Sequence, residues 1–358
     1  MQRALQLAAL ATNSAHPNPR VGCVVAAGGE IVGEGWHRRA GEPHAEVLAL
    51  RAAGARARGA TAYVSLEPCN HVGRTPPCTE ALLKAGVSRV IFALRDPDPR
   101  VNGSGAEHLR RAGVKVESGL LGNEARELNL GFVSRLQRGR PWVRLKLAAS
   151  LDGRTALANG ESRWITSEAA RQDVQLWRAR SDAIMTGVGT VLADDPELTL
   201  RVGAEPRRQP LRVVLDSHLR TTPGAKLLHA VGETLLLTTV KQRAAPPGEW
   251  PDGVTVEVVD AGLDGRVALQ PALARLGKLP INELWVEAGA TLAGALLSAA
   301  LVDEVVLYYA PKLLGKDARP LVDLNSPLSL SSAIGFQLHS VATLGGDVRL
   351  VLRTSGAV

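Results

Sequence analysis

His44-Ala45-Glu46, Pro68-Cys69 and Cys78, nine residues beyond Cys69, set one imidazole, one carboxylate and two thiols in an order that metal chemistry can use. An imidazole and two thiolates give Zn2+ three ligands and leave its fourth position open to water, the requirement of a catalytic zinc rather than a structural one. Glu46, two residues from a ligand, shares the helix start and could take a proton from that water and pass it to a leaving amine. Taken singly, each residue has a duller reading, with His44 at a helix start and the cysteines as small hydrophobes. Jointly, two of the chain's three cysteines fall in order with His and Glu, and each His or Cys ligand adjoins a proline (Pro43, Pro68, Pro77). A zinc site of His44, Cys69 and Cys78 with Glu46 as the catalytic proton carrier is therefore expected. Cys23 lies in an apolar run and reads as core.

The order H-x-E followed by P-C-x-x-C is that of the zinc nucleobase deaminases, with one departure. Eight residues, Asn70 to Pro77, separate the cysteines here. A longer loop can still return Cys78 to the metal while its His71, Arg74 and Thr75 line a pocket suited to a substrate phosphate or ribose.

The elements that must position these groups alternate. A first helix with Leu7, Leu10 and Ala11 at helical spacing fits Met1 to Ala15 better than a signal peptide, because Gln2 and Gln6 interrupt the apolar run. Val21–Ala26 and Ile31–Trp36 flank Gly28-Gly29 as a hairpin. A helix from His44 to about Arg58, a strand Thr61–Leu66, a helix Thr79–Ala85, a strand Arg89–Leu94 and a helix and strand over Ala106–Val116 follow. Strands alternating with helices describe an α/β sandwich. A helix from about Glu124 to Gln137 ends at Arg138-Gly139-Arg140-Pro141, where Gly supplies a stop and Pro forbids continuation. The domain boundary is placed there, giving domains 1–140 and 141–358.

Beyond it, strands are expected at Trp142–Leu147, Ala183–Thr186, Leu211–Leu215, Thr234–Thr238, Val254–Val258, Glu283–Val286 and Glu304–Tyr309. Helices fall near Ser167–Arg178, Leu269–Leu276 and Thr291–Ala299, and a pair Phe336–Thr343 and Asp347–Leu352 turns at Gly345-Gly346. No fixed-period repeat is present, and the loop around Ala244–Pro247 is the one biased stretch.

Composition narrows the function. The 358 residues are 45% hydrophobic and 22% charged, which suits folded domains and excludes a disordered tail or a disulfide-stapled miniprotein. The net charge of +7 lies entirely in residues 1–140, with 19 basic and 12 acidic side chains, against 23 of each afterwards. Such a patch attracts nucleic acid, an acidic membrane or a phosphorylated small molecule. Four aromatics in that part (Trp36, Tyr63, Phe92, Phe132) are few for stacking bases. An odd, small number of cysteines argues for a reducing compartment, and no apolar run approaches the ~20 residues that span a bilayer. A cytoplasmic protein without membrane or nucleic-acid partners is expected.

Pro68-Cys69-Asn70-His71-Val72-Gly73-Arg74-Thr75-Pro76-Pro77-Cys78 resembles the bifunctional pyrimidine deaminase/reductase family of riboflavin biosynthesis, in which this long loop is distinctive. Asn18-Pro19-Arg20-Val21-Gly22 and Gly35-Trp36-His37 resemble that family's substrate-facing turns, and Asp96-Pro97-Asp98-Pro99-Arg100-Val101-Asn102-Gly103 its late loop. In the second part, Leu145–Arg154, Gly187–Pro196 and Val286–Leu292 resemble its reductase half. The resemblance runs from about Met1 to Arg353. It implies an N-terminal cytidine-deaminase-like α/β/α sandwich and a C-terminal dihydrofolate-reductase-like α/β domain.

It also implies zinc and NADPH as cofactors and a phosphorylated pyrimidine as substrate, and a homo-oligomer is expected. In the first domain Asn18, His37, His71 and Arg74 would contact substrate. In the second, Ala148, Trp164, Thr190, Asp194 and the loop Gly289, Ala290, Thr291, Leu292, Ala293, Gly294 and Ala295 would contact NADPH. Ser162, Arg178, Leu198, Arg201 and Glu287 would hold the second substrate, and Lys146 lies on a strand directed toward that site. Independently of the resemblance, the planar guanidinium of Arg178 or Arg201 suits a phosphate, and Gly289 between strand and helix suits a phosphate at a helix start.

The implied reactions are hydrolysis of the 2-amine of a diaminopyrimidinone ribosylamine 5′-phosphate and NADPH-dependent reduction of its ribosyl group to ribityl at C1′. Two other readings compete. One is a nucleic-acid deaminase with an appended binding domain, favoured by the basic first part and opposed by its few aromatics. The other is a non-catalytic zinc-stabilised binding protein, opposed by Glu46, for which a structural zinc has no use.

Overall fold

A computed structural model describes residues 1–71, 76–201, 208–240 and 250–355. Arg74 and Thr75 of the inter-cysteine loop, and the Ala244–Pro247 stretch, lie outside the described residues. Contacts divide the chain into two compact units, Met1–Gly139 and Arg140–Val358.

The first unit runs α1 (Gln2–Ala9), β1 (Gly22–Ala27), β2 (Glu30–Trp36), α2 (Ala45–Ala53), β3 (Thr61–Leu66), α3 (Cys78–Ala85), β4 (Arg89–Leu94), α4 (Ser104–Arg111), β5 (Lys115–Ser118), α5 (Gly122–Leu128) and α6 (Leu130–Arg138). Its sheet has the order β2-β1-β3-β4-β5. The hairpin is antiparallel, β1 pairs antiparallel with β3, and β3, β4 and β5 run parallel. Alternation along the strands sends Cys23, Val25, Val64, Val90 and Phe92 to a face packed by α2, α3 and α4 through Ala45, Ala49, Ala53, Leu82, Ala106 and Leu109. The other face takes α1 and α5 through Ala4, Leu7 and Ala125. This is an α/β/α sandwich.

The helix carrying Glu46 lies against β2 because two glycines let it. A Cβ on Gly33 would sit 2.2 Å from the Ala49 carbonyl oxygen, and one on Gly35 2.5 Å from that of Ala45. Gly35 is thus a packing residue of a strand and not part of a turn.

One sequence expectation is corrected here. The helix Glu124–Gln137 is two helices broken at Asn129 (φ −122°, ψ 23°). The buried Asn129 side chain accepts the Arg20 N–H and donates to the Arg20 carbonyl, binding the Asn18–Arg20 stretch to the break. Hydrophobic periodicity continues across that position, so it could not reveal the interruption.

The second unit runs β6 (Trp142–Ser150), β7 (Arg154–Ala156), α7 (Glu168–Arg180), β8 (Ala183–Gly187), α8 (Val188–Asp194), β9 (Leu211–Leu215), α9 (Lys226–His229), β10 (Thr234–Thr238), β11 (Val254–Val258), α10 (Leu269–Lys278), β12 (Glu283–Glu287), α11 (Ala290–Ser298), β13 (Glu304–Ala310), β14 (Arg319–Pro320), β15 (Phe336–Leu344) and β16 (Asp347–Thr354). Nine strands form one sheet in the order β11-β10-β9-β8-β12-β6-β13-β16-β15. It is parallel from β11 to β13, with β16 and β15 antiparallel at one edge.

In β12, Leu284 and Val286 face a core shared with α10 and α11, while Trp285 faces α7 and stacks on Trp177 with ring centroids 5.6 Å apart. Burial on both faces explains why the parallel strands read as nearly continuous apolar runs. Short β7, α8 and α9 were not expected from periodicity, which needs longer windows.

Candidate functional site

Two sites emerge, one in each unit. In the first, α2 begins at His44, whose backbone is extended (φ −69°, ψ 163°), so its ring stands at the helix entrance while Glu46 enters the first turn. Cys69 follows the end of β3, and Cys78 opens α3 behind Pro77. The metal-binding atoms of His44, Cys69 and Cys78 lie within 4.8 Å of one another, with His44 Nδ1 3.1 Å from Cys78 Sγ and 3.6 Å from Cys69 Sγ. Bond lengths for tetrahedral zinc imply an N···S edge of about 3.5 Å, so the donor set fits that ion.

The Cys78 N–H points at Cys69 Sγ (3.4 Å). Hydrogen bonding from Cys78 and His44 pulls the Cys69 thiol down to about 4, while the Cys78 thiol is pushed up by its neighbour and by burial. Glu46 is buried, and burial together with the Cys69 charge raises its carboxyl to about 6. A carboxyl at that value can accept and return a proton near neutrality.

His37 and Asn18 stand beside the cluster. The His37 ring meets that of His44 edge-on at 5.3 Å. Because the Pro43 carbonyl can only accept, His37 Nδ1 donates to it (3.3 Å) and Nε2 accepts from the Asn18 amide (2.9 Å). Burial holds His37 below the usual imidazole value, so it is neutral. His71 Nδ1 is buried with no hydrogen-bond partner among the described residues. Cys23 is fully buried in the sheet core.

Asp96 opens the late loop noted in the sequence, where no role was assigned to it. It is buried, and desolvation lifts its carboxyl to about 7, helped by the nearby charges of Asp98, Glu67 and Cys69.

In the second unit a cleft of about 1580 Å³ opens at the carboxyl ends of β6, β8, β9 and β12, where open parallel sheets place their ligands. Ala148, Ser162, Trp164, Arg178, Thr190, Asp194, Leu198, Arg201, Glu287, Gly289, Ala290, Thr291, Leu292 and Ala295 all line it. Ala293 and Gly294 do not. They face inward on α11, Ala293 in the core and Gly294 against the Asp323 backbone. The stretch from Ala290 is helix, not loop.

Gly289, the N-cap of α11, carries no capping side chain, and a Cβ there would meet nothing within 4 Å. The helix's first N–H groups thus open onto the cleft, as a dinucleotide's phosphates require. Trp164 is largely exposed beneath the Arg171 guanidinium, 4.4 Å from its ring.

Arg178 and Glu287, both expected to hold the second substrate, line the cleft and are paired with each other. The Arg178 guanidinium grips Glu287 through two hydrogen bonds (2.6 and 2.9 Å) and spends Nη1 on the Thr199 carbonyl (2.8 Å). Burial would raise Glu287, yet Arg178 and then Lys146 draw its carboxyl down to about 2. Lys146 lines the same cleft, and burial lowers its ammonium despite the facing Glu287. Ser217, His218, Arg220, Lys226 and Arg266 also line the cleft and were not anticipated. Ser217 to Arg220 lie just past the end of β9, so the rule that ligands gather at strand carboxyl ends could have found them.

Comparison with known proteins matches both units. A family profile described as "Cytidine and deoxycytidylate deaminase zinc-binding region" matches residues 1–94, and one described as "RibD C-terminal domain" matches residues 141–350. The "Riboflavin biosynthesis protein RibD" of Escherichia coli is 51% identical over 98% of both chains, and that of Haemophilus influenzae 45% over 99% of this chain and 97% of its own. Among solved structures, Acinetobacter baumannii RibD superposes with a TM-score of 0.91 at 44% identity, covering 99% of this chain and 97% of that one. The Thermotoga maritima diaminohydroxyphosphoribosylaminopyrimidine deaminase/5-amino-6-(5-phosphoribosylamino)uracil reductase gives 0.87 at 32%, with the same coverage. These matches span the whole chain, which disfavours a nucleic-acid deaminase with an unrelated appended domain. The chain belongs to the RibD family of riboflavin biosynthesis proteins.

Proposed function

We propose that residues 1–140 hydrolyse the exocyclic 2-amine of 2,5-diamino-6-ribosylamino-4(3H)-pyrimidinone 5′-phosphate, and that residues 141–358 then reduce its ribosyl group to ribityl with NADPH. The observation that carries this reading is the His44, Cys69 and Cys78 donor set with a buried carboxyl, Glu46, beside it. His44, Cys69 and Cys78 would hold zinc, which when bound makes water acidic enough to ionise near neutral pH. Glu46 would take that proton and hand it to the departing amine. The Asn18–His37 pair, locked in one tautomer, and His71 would orient the pyrimidine, with Arg74 on its phosphate.

In the cleft, NADPH when bound is the reductant. Gly289, Ala290, Thr291, Leu292 and Ala295 at the α11 start, together with Ala148, Trp164, Thr190 and Asp194, would seat it. Ser162, Arg178, Leu198, Arg201 and Glu287 would hold the substrate. The Arg178–Glu287 pair keeps a carboxylate ionised in the cleft, and Lys146, opposite Glu287 in the β6–β12 pairing, places a second cationic side chain beside it. A reducing, cytoplasmic setting suits thiol ligands, which oxidation would remove from the metal. No helix among the described residues is long and apolar enough to cross a membrane. A homo-oligomer belongs to the same proposal, and sedimentation equilibrium reads it.

The test supplies the diaminopyrimidine phosphate to zinc-loaded protein and follows ammonia and NADPH absorbance separately. Ammonia should appear without NADPH, and NADPH should fall only after ammonia has formed. Loss of NADPH with no ammonia released would contradict the order of steps.

A further inference from the structure

Glu67 ends the strand-to-ligand turn two residues before Cys69, and it is 3% exposed. Among the described residues its carboxylate accepts three hydrogen bonds, all from backbone N–H groups, those of Asp96 (3.3 Å), Gly103 (3.0 Å) and Ala106 (3.1 Å). Gly103 is the N-cap of α4 and has no side chain with which to cap it, and Ala106 is the third residue of the helix. The two carboxylate oxygens therefore satisfy the N-cap and N3 donors from outside the helix, a task that a capping residue within the chain normally performs. Asp96, at the other end of the same loop, is tied to the same oxygen as Gly103.

Close packing reinforces this tether. A Cβ on Gly105 would fall 2.0 Å from the Pro68 carbonyl oxygen, so the start of α4 lies directly on the residue between Glu67 and Cys69. Between its tied ends the loop turns through Asp98, whose carboxylate accepts the Arg100 N–H and pairs with its guanidinium. Both ends of the loop are thus held against Glu67 and Pro68, the two residues directly before the Cys69 ligand.

We propose that Glu67 is a positioning residue of the deaminase, one carboxylate that fixes the Asp96–Asn102 loop as a wall of the substrate site in register with the Cys69 ligand. Its action is through the loop; it touches neither metal nor substrate. The proposal rests on the deaminase reading of the first unit. It assigns substrate affinity rather than metal retention to Glu67.

Glu67→Gln keeps the side chain's size but replaces one acceptor with an amide that faces N–H donors. In the full-length, zinc-loaded protein, the KM for the pyrimidine phosphate should rise about tenfold or more, while kcat falls less than about threefold. Zinc should stay stoichiometric, reduction of the deaminated compound should be unchanged, and amide exchange should quicken at Gly103 and Ala106. Gly105→Ala leaves the carboxylate intact but lifts α4 from Pro68, and it should give the same KM increase. If Glu67→Gln does not fold, this second variant decides by the same criterion.

A KM within about twofold of the parent in the zinc-loaded variants would overturn the proposal. So would activity lost only in proportion to zinc. If the parent itself released no ammonia, the deaminase reading would fall, and exchange at Gly103 and Ala106 in Glu67→Gln would still decide whether the carboxylate holds the loop.

Discussion

The deaminase and reductase sites solve the same problem, activating a small polar substrate, with opposite materials. In the first unit the reactive groups are side chains gathered within 4.8 Å, and a buried carboxyl stands beside them. In the second, a cleft of about 1580 Å³ is walled by glycines, helix starts and strand ends, and the Arg178–Glu287 pair and Lys146 supply its buried charge. A metal site needs particular side chains at particular spacings. A dinucleotide cleft needs open backbone N–H groups and space, which many sequences provide. The difference teaches that the chemistry of the first site is carried by residue types and that of the second by topology.

Substitutions can break or sharpen that contrast. The largest effect is expected of Glu46→Gln, which should keep zinc but slow ammonia release by at least ~10²-fold, the low end for general acid–base catalysis, with reduction untouched. Metal analysis and a two-substrate assay on one sample check it, and near-normal ammonia release would mean that another group carries the proton. Arg178→Ala should strip Glu287 of its two-pronged partner, leaving Lys146 and the Trp285 N–H against it, and cost the second unit about 1–3 kcal/mol. Thermal unfolding should then show the second unit melting earlier while zinc stays bound to the first.

Arg201→Ala should be milder, raising the KM of the reductase substrate by about tenfold with little change in kcat, because a phosphate anchor supplies mostly uniform binding. The smallest effect concerns pH, and the two units should respond with opposite sign. The folded-state Asp96 carboxyl is raised to about 7 from 3.8. Its contribution is full below pH 3.8 and is lost as pH rises through 7. Glu287 is lowered to about 2 from 4.5, so its contribution is full above pH 4.5 and is lost as pH falls toward 2. Asp96→Asn should therefore stabilise the first unit at pH 8 and do little at pH 4, a difference of about 2–4 °C in Tm per kcal/mol relieved.

Legibility followed the same division. His44, Cys69 and Cys78 were readable because ligand chemistry restricts residue type, Glu46 because a proton carrier must stand beside them, and the long parallel strands because burial on both faces writes continuous apolar runs. The break at Asn129 was not, since a side chain that clamps Arg20 from 109 positions away leaves no local signal. Asp96 and Glu67 looked like ordinary turn and strand-end residues until burial and backbone donors gave them roles. Arg178 illustrates the limit most clearly. Its guanidinium suggested a phosphate partner, and only the fold brought Glu287 into its grip. Ser217, His218 and Arg266 have no motif at all, and they reach the cleft because of where β9 and the turn before α10 end.

The central claim, that the chain runs two separable reactions in sequence, is tested most directly with Cys69→Ser in the full-length protein. Hydroxyl is a poor substitute for thiolate at a zinc site, so this variant should lose its metal and release no ammonia. Offered the diaminopyrimidine phosphate with NADPH, it should consume neither, yet with the already deaminated compound NADPH should fall at the parent rate. Consumption of NADPH with the undeaminated compound, or failure to reduce the deaminated one by a folded variant, would contradict the account.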